Sequence, residues 1–197
     1  MLETDRLLVR EFTLDDAEAY YPLCTDPAII RYTHDPGSVT TVEHARDILR
    51  ARPIADYQKH GFGRLACVLK SSGLVIGFAG LRYLDDFQGV DIGYRFLPPY
   101  WGKGLATEAG RSVLRDGFAR LKLERIIGLV ATDNVASVRV LRKLGLTFSA
   151  PIEYQSVAVA KYVIQADAVL PSPPRTGERG EPANAPTIPT GGPARRW

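Results

Sequence analysis

The sequence predicts a mixed α/β (α+β) domain: a mostly antiparallel central sheet of about seven strands, flanked by helices on both faces. Three observations carry this expectation. Residues 63–70, 74–84 and the run from Asp91 are strand-like segments joined by short turns, the pattern of an antiparallel meander. A glycine-rich turn and a long amphipathic stretch follow them directly. Residues 126–131, IIGLVA, then form a continuous apolar run of strand length, as a central strand covered on both faces requires.

Taken in order, residues 7–13 (LLVREFT) read as a first strand, and Thr13 or Asp15 opens a helix carrying Ala17, Tyr20, Tyr21 and Leu23. Residues 26–38 contain Pro27, Pro36 and Gly37 and read as a loop or short helical turn. A second helix begins near Thr40, where Thr40 and Glu43 have capping-box spacing, and Pro53 is expected to kink or end it at Arg52. In the strand from Asp91, residues Val90, Ile92, Tyr94 and Phe96 alternate with Asp91, Gly93 and Arg95, and Pro98 and Pro99 stop it. Leu105, Ala109, Val113, Leu114, Phe118 and Leu121 keep a helical period. A short helix over 136–144 ends at Gly145, and strands near 147–154 and 157–164 close the domain. The order is β-α-α-β-β-β-α-β-α-β-β.

Residues 1–168 are expected to form this domain and 169–197 a disordered tail. Residues 171–197 hold half of the chain's 14 prolines and almost no core-forming side chains. The formal charge is +3; with four arginines and two glutamates in that stretch, residues 1–170 carry 21 − 20 = +1. Such a balance argues against a nucleic-acid binder. Cys24 and Cys67 lack metal-ligand spacing and are too few for a disulfide framework, and His34, His44 and His60 have no ligand spacing either, so no metal is expected. With no secretory or long apolar segment, a cytoplasmic protein that avoids membranes is expected.

Two stretches can carry chemistry. In 91–108, a strand runs into WGKG and then into a helix N-terminus, so successive backbone amides backed by a helix dipole make a place for phosphate. The plain alternative is a turn in which Gly102 and Gly104 only permit tight geometry. In 131–146, a buried strand ends in Thr132-Asp133-Asn134 before a short helix, and the plain alternative is an N-cap at Asp133 or Asn134. Both place a polar feature at the C-terminal end of a strand, where open α/β sheets collect ligands.

Together, YWGKGLATEA and NVASVRVLRKLGL resemble the GNAT superfamily of acyl-CoA N-acyltransferases, most of all the branch with the ribosomal-protein N-terminal acetyltransferases, which commonly read xxWGxGxATEA and NxxSxxxLxKLGF. The resemblance runs from about Leu2 to Ile164, through LETDRLLVREFTLDDA and the IGY strand. The family's Q/R-x-x-G-x-G/A motif falls on Trp101, Gly104 and Ala106, with tryptophan in the usual polar place. The resemblance implies an acetyl-CoA-dependent transfer to a primary amine, a protein N-terminus or a small molecule, by direct attack in a ternary complex. It implies that amides of Gly102, Lys103, Gly104, Leu105, Ala106 and Thr107 hold the pyrophosphate, and that Phe96 and Leu97 bond the pantetheine arm through their backbone. It also implies that Asn134 meets the pantetheine or the acceptor and that Ser137 sits by the sulfur.

Many relatives place a tyrosine seven residues after the motif asparagine as general acid; here that residue is Leu141, so Ser137 becomes the candidate proton donor. Asp91 is the candidate base, with a solvated strand residue or cap partner as the alternative. Glu108 is read as support for the helix N-terminus. Arg31, Tyr32 and the second helix are expected to border the acceptor cleft. An α-amine, with a reference pKa near 8 against about 10.4 for lysine, asks less of a weak base. The alternatives to an enzyme are a non-catalytic acyl-CoA-binding regulatory module, which Leu141 permits, and a nucleotide-phosphate binder of another fold. The protein is expected as a monomer or homodimer.

Overall fold

The computed structural model describes residues 1–32, 39–155 and 157–168. Its framework is one eight-stranded sheet: β1 (Leu2–Glu3), β2 (Leu7–Arg10), β3 (Arg64–Leu69), β4 (Val75–Leu84), β5 (Gly89–Phe96), β6 (Arg125–Ala131), β7 (Thr147–Tyr154) and β8 (Val157–Gln165). Their spatial order is β1-β2-β3-β4-β5-β6-β8-β7, and every neighbour is antiparallel except β5 and β6. The expected meander is β3-β4-β5. The strand beyond the expected seven is β1, two residues that pair Leu2 with Val9.

Helices cover both faces. On one side lie α1 (Ala17–Thr25), α2 (Pro27–Ile30), α3 (Val42–Leu49) and α4 (Ala55–His60); on the other, α5 (Leu105–Ala119) and α6 (Val135–Lys143). The α5 period works as read: Leu105, Ala109, Val113, Leu114 and Phe118 are buried against Leu7, Ile76, Leu81 and Ile126. Across the sheet, Tyr20, Leu23, Ala45 and Leu49 pack on Phe12, Ala66 and Phe78. Cys24 and Cys67 are buried in these two cores. Burying an aliphatic side chain of this size contributes about 1.5–3 kcal/mol, so both layers are firmly held to the sheet.

Several boundaries differ from the sequence reading for local reasons. The first strand stops at Arg10, because Thr13 and Asp16 tie a 3₁₀ turn over Leu14–Asp16, with the Thr13 amide donating to Asp16 Oδ2 at 2.8 Å. The second helix is capped by Thr41, whose Oγ1 accepts from the His44 amide at 3.2 Å; Thr40 instead meets the His44 ring. Pro53 does not end that helix. The backbone widens into a π turn over Arg50–Ile54, absorbs the proline and continues as α4 until Gly61 caps it with φ +74°. His34 and the rest of 33–38, and the segment 169–197 read as a tail, lie outside the described residues. Among the described residues, no helix is long and apolar enough to cross a membrane, and no group of three or more His, Cys, Asp or Glu side chains could hold a metal ion.

Candidate active site

The site begins where the sheet comes apart. The parallel pairing of β5 and β6 holds only at Asp91 opposite Ile127. Beyond it Asp91 itself supplies the cross-strand bond, its Oδ1 accepting from the Leu129 amide at 3.2 Å. Its Oδ2 meets Arg64 Nη2 at 2.5 Å, and the carboxylate is almost wholly buried. Burial pushes the Asp91 carboxyl pKa up, against the pull of Arg64 and the Leu129 amide. The side chain works as a strut: it takes the donor a regular ladder would have paired with backbone, and the strands diverge from there.

Strand alternation decides what faces the gap. The Leu97 amide bonds Ile76 O at 3.0 Å and Phe96 lies opposite Gly77, so Arg95 and Leu97 turn their backbone groups to β4. Tyr94 and Phe96 therefore turn theirs to the gap. The Phe96 carbonyl accepts Trp101 Nε1 at 2.6 Å, which folds the proline-rich segment back over the strand end. The Phe96 and Tyr94 amides remain on the open edge, placed to receive an extended ligand as an added strand.

The gap widens into a cleft of about 750 Å³, a size that suits one elongated ligand and a small partner. One end is the glycine turn. Gly102 (φ +73°) and Gly104 (φ +77°) are both left-handed, a conformation that costs other residues about 1–2 kcal/mol. Gly104 is the N-cap of α5 and bears no side chain to cap it, so the first-turn amides are left for a ligand. The turn is anchored from behind. Glu108 accepts from Thr4 Oγ1 (2.6 Å), the Arg6 amide (2.9 Å) and Arg6 Nε (2.7 Å), and Arg6 Nη1 donates to Lys103 O at 2.9 Å. Burial alone would raise the Glu108 carboxyl, but those donors together hold its pKa below the usual value. The sequence reading of Glu108 as helix support matches this contact set.

The facing wall is the start of α6. Asn134 caps it, Oδ1 accepting from the Ser137 amide at 3.0 Å. The Ser137 hydroxyl lies 2.9 Å from Tyr94 Oη, which also donates to the Ser137 carbonyl at 2.8 Å. This contact links β5 to α6 across the mouth of the splay. Burial raises the Tyr94 phenol well above its ordinary pKa, so it stays protonated throughout the physiological range. A hydroxyl pair thus bridges β5 and α6 within the lining of the cleft, beside the open amides of β5.

A glycine cradle on a helix N-terminus, a splayed strand pair and a hydroxyl pair between them fit a phosphate-tailed thioester. The acetyltransferase (GNAT) domain model matches residues 6–147, well over half of the chain. The chain belongs to the GNAT family of acetyltransferases. The chain is 33% identical over 146 residues to the uncharacterized N-acetyltransferase YoaA of Bacillus subtilis (strain 168), covering 74% of this chain and 81% of that protein. The GNAT-family acetyltransferase from Bacillus anthracis superposes with a TM-score of 0.71 at 26% identity, covering 84% of this chain and 98% of that one. RimL, a ribosomal L7/L12 α-N-protein acetyltransferase solved in complex with coenzyme A, shares the fold at TM-score 0.71 and 20% identity, over 84% and 97% of the two chains. Acetyl-CoA-dependent N-acetylation is the general activity of this family.

In this GNAT acetyltransferase, Asp91, Phe96, Gly102, Gly104, Leu105, Ala106, Thr107, Asn134 and Ser137 all line the one cleft. Leu97 and Lys103 do not. Leu97 packs into the α1-side core, and both of its backbone groups are used, the amide by Ile76 O and the carbonyl by the Tyr100 amide. Lys103 extends outward with Nζ 5.6 Å from the Tyr100 ring. Leu141, where relatives place a tyrosine, is buried in the core. Sequence reasoning missed Tyr94 as a partner of Ser137, because 43 residues separate them and only the sheet brings them together. It also missed Arg64, Arg52 and Arg82 as cleft residues.

Proposed function

We propose that this chain transfers an acetyl group from acetyl-CoA to a primary amine by direct attack in a ternary complex. The observation that carries this reading is the Asp91-terminated splay, lined by the glycine turn and by the Tyr94–Ser137 pair that joins β5 to α6. The backbone amides of residues 102–107 bind the pyrophosphate, and the Lys103 side chain, turned toward the Tyr100 ring, takes no part. The Phe96 and Tyr94 amides receive the pantetheine and the thioester oxygen; Leu97, its backbone committed, gives only packing. Asn134 keeps α6 capped and in register beside the pantetheine.

Bound there, acetyl-CoA supplies a thioester carbonyl. The amine nitrogen attacks it, the C–N bond forms and the C–S bond breaks. Ser137 Oγ–H gives its proton to the departing sulfur, and Tyr94 Oη–H replaces it, shifting its own hydrogen bond from the Ser137 carbonyl. The amine's surplus proton leaves through water, and solvent restores Tyr94. Asp91 holds both of its oxygens on Arg64 and Leu129, so its part here is to set the splay and aim Arg64; a water relay to it is the form in which a base role fits. Positioned proton transfer is typically worth 10²–10⁴-fold, and a thiol, with a reference pKa near 8.5, leaves with modest help. Ser137→Ala is therefore expected to lower kcat toward the small end of that range, about 10²-fold, and Tyr94→Phe about tenfold. Thiol release from acetyl-CoA with a saturating amine measures both. Unchanged kcat in both variants would remove the relay.

A further inference from the structure

The open edge of β5 ends at a side chain. Tyr94 and Phe96 each turn an amide and a carbonyl away from β4, so the edge offers, in order, Tyr94 N–H, Tyr94 C=O, Phe96 N–H and Phe96 C=O. The last of these is taken by Trp101 Nε1 at 2.6 Å. A 3₁₀ turn over Pro98–Tyr100 brings the indole back to the strand. Its two prolines fix the backbone, the Tyr100 amide closes on Leu97 O at 2.9 Å, and the Trp101 amide closes on Pro98 O at 3.1 Å. The Trp101 side chain is 47% exposed and lines the cleft, so core packing does not hold it in place. The bond to the strand end does.

A ligand that joins a strand edge is held by ladder bonds, and the groups left open on that edge decide its register. With the Phe96 carbonyl closed, the Phe96 amide is the last group a ligand can use, and the indole ring obstructs a slide toward the turn. Trp101 is also the chain neighbour of Gly102, the first residue of the cradle. Arg6 Nη1 ties the same turn down at Lys103 O, 2.9 Å away. The end of the edge and the start of the cradle are therefore one braced piece. The indole bond sets the spacing between the last open amide of β5 and the amides that face a pyrophosphate.

We propose that Trp101 is a positioning residue: by holding the Phe96 carbonyl it closes the edge of β5 and fixes the register in which the cofactor's extended arm pairs with that edge. The thioester then stops beside Ser137 while the pyrophosphate rests on the turn. The inference rests on the transferase reading and adds a residue to it. The test uses the full chain and acetyl-CoA carrying ¹³C at the thioester carbonyl, with ¹³C and ³¹P spectra recorded on the same saturated complex. The parent should give one bound carbonyl signal, displaced from that of free acetyl-CoA. In Trp101→Phe, which keeps a ring but no donor, that signal should split or fall back toward the free position while the pyrophosphate signals stay put. Trp101→Gln, which keeps an N–H donor without the ring, should restore a single displaced signal. With any amine the parent turns over, Trp101→Phe should lower kcat about tenfold or more and change the KM for acetyl-CoA by less than about threefold. Identical carbonyl signals in parent and Trp101→Phe, or carbonyl and phosphorus signals that fall back together, would overturn the register role and leave the transferase intact. So would a Trp101 indole N–H that enters fast exchange when acetyl-CoA saturates the parent, a measurement that needs no variant. A parent that does not bind acetyl-CoA, or binds it with no change at the carbonyl, would overturn both.

Discussion

Gly102→Ala separates the turn's structural part from its binding part. Gly102 sits at φ +73°, and a Cβ built there finds no atom within 4 Å. Steric collision therefore contributes nothing, and the cost is the left-handed backbone itself, about 1–2 kcal/mol for a residue with a Cβ. For a folded unit of this size, 1 kcal/mol lowers Tm by about 2–4 °C, so the variant stays folded with Tm reduced by roughly 2–8 °C. Acetyl-CoA affinity responds differently. Hydrogen bonds to charged groups are worth about 1.5–3 kcal/mol, and a methyl group in the cradle keeps at least one amide from the pyrophosphate. Loss of one such bond weakens Kd by about tenfold or more. Calorimetric unfolding gives the first quantity and isothermal titration with acetyl-CoA the second. A variant destabilised as calculated but binding acetyl-CoA as tightly as the parent would refute the cradle.

Glu108→Gln is expected to remove roughly 1 kcal/mol, modest because Arg6 is half exposed, and to blunt acid sensitivity. The Glu108 carboxyl binds its proton more weakly folded than unfolded. Its contribution is therefore full above the ordinary glutamate pKa and is lost as pH falls through the lower folded value. Asp16, which Arg10 and Thr13 also hold below its usual value in spite of burial, behaves the same way. Urea midpoints between pH 3 and 6 should thus decline less steeply in the variant; parallel curves would deny the clamp its charge. Asp91→Asn leaves Arg64 without its buried counter-charge, a change that costs about 3 kcal/mol, and urea unfolding would show it. An undiminished midpoint would mean that Asp91 is not the strut.

The sheet and its two covering layers were legible because each element repeats a physical period over enough residues. Residues such as Leu105, Ala109, Val113 and Phe118 permit one helical face only, and Val90, Ile92, Tyr94 and Phe96 one strand alternation. The glycine turn was legible for a different reason: two glycines between a strand stop and a helix start announce left-handed backbone. What stayed hidden depends on groups far apart in the chain. Pro53 reads in sequence as a kink or an end of the helix, and the π turn that absorbs it leaves no compositional mark. Leu97 and Phe96 are adjacent, and only the register with Ile76 and Gly77 tells which of them faces the gap. Tyr94 and Ser137 meet because β5 and α6 flank one opening, and Arg52, Arg64 and Arg82 come from three separate elements. A turn contained in one stretch shows in the sequence; a cleft wall assembled from several stretches needs the fold.

Acetyl-CoA is proposed to lie in the β5–β6 splay with its pyrophosphate on the turn before α5. Backbone amide chemical shifts of the ¹⁵N-labelled protein, followed during titration with acetyl-CoA, test it most directly. The largest changes are expected at Tyr94, Phe96, Gly102, Gly104, Leu105, Ala106 and Thr107, with the Leu97 amide, already bonded to Ile76, moving less than that of Phe96. Saturable binding that leaves the Phe96, Gly102 and Gly104 amides unmoved would contradict it.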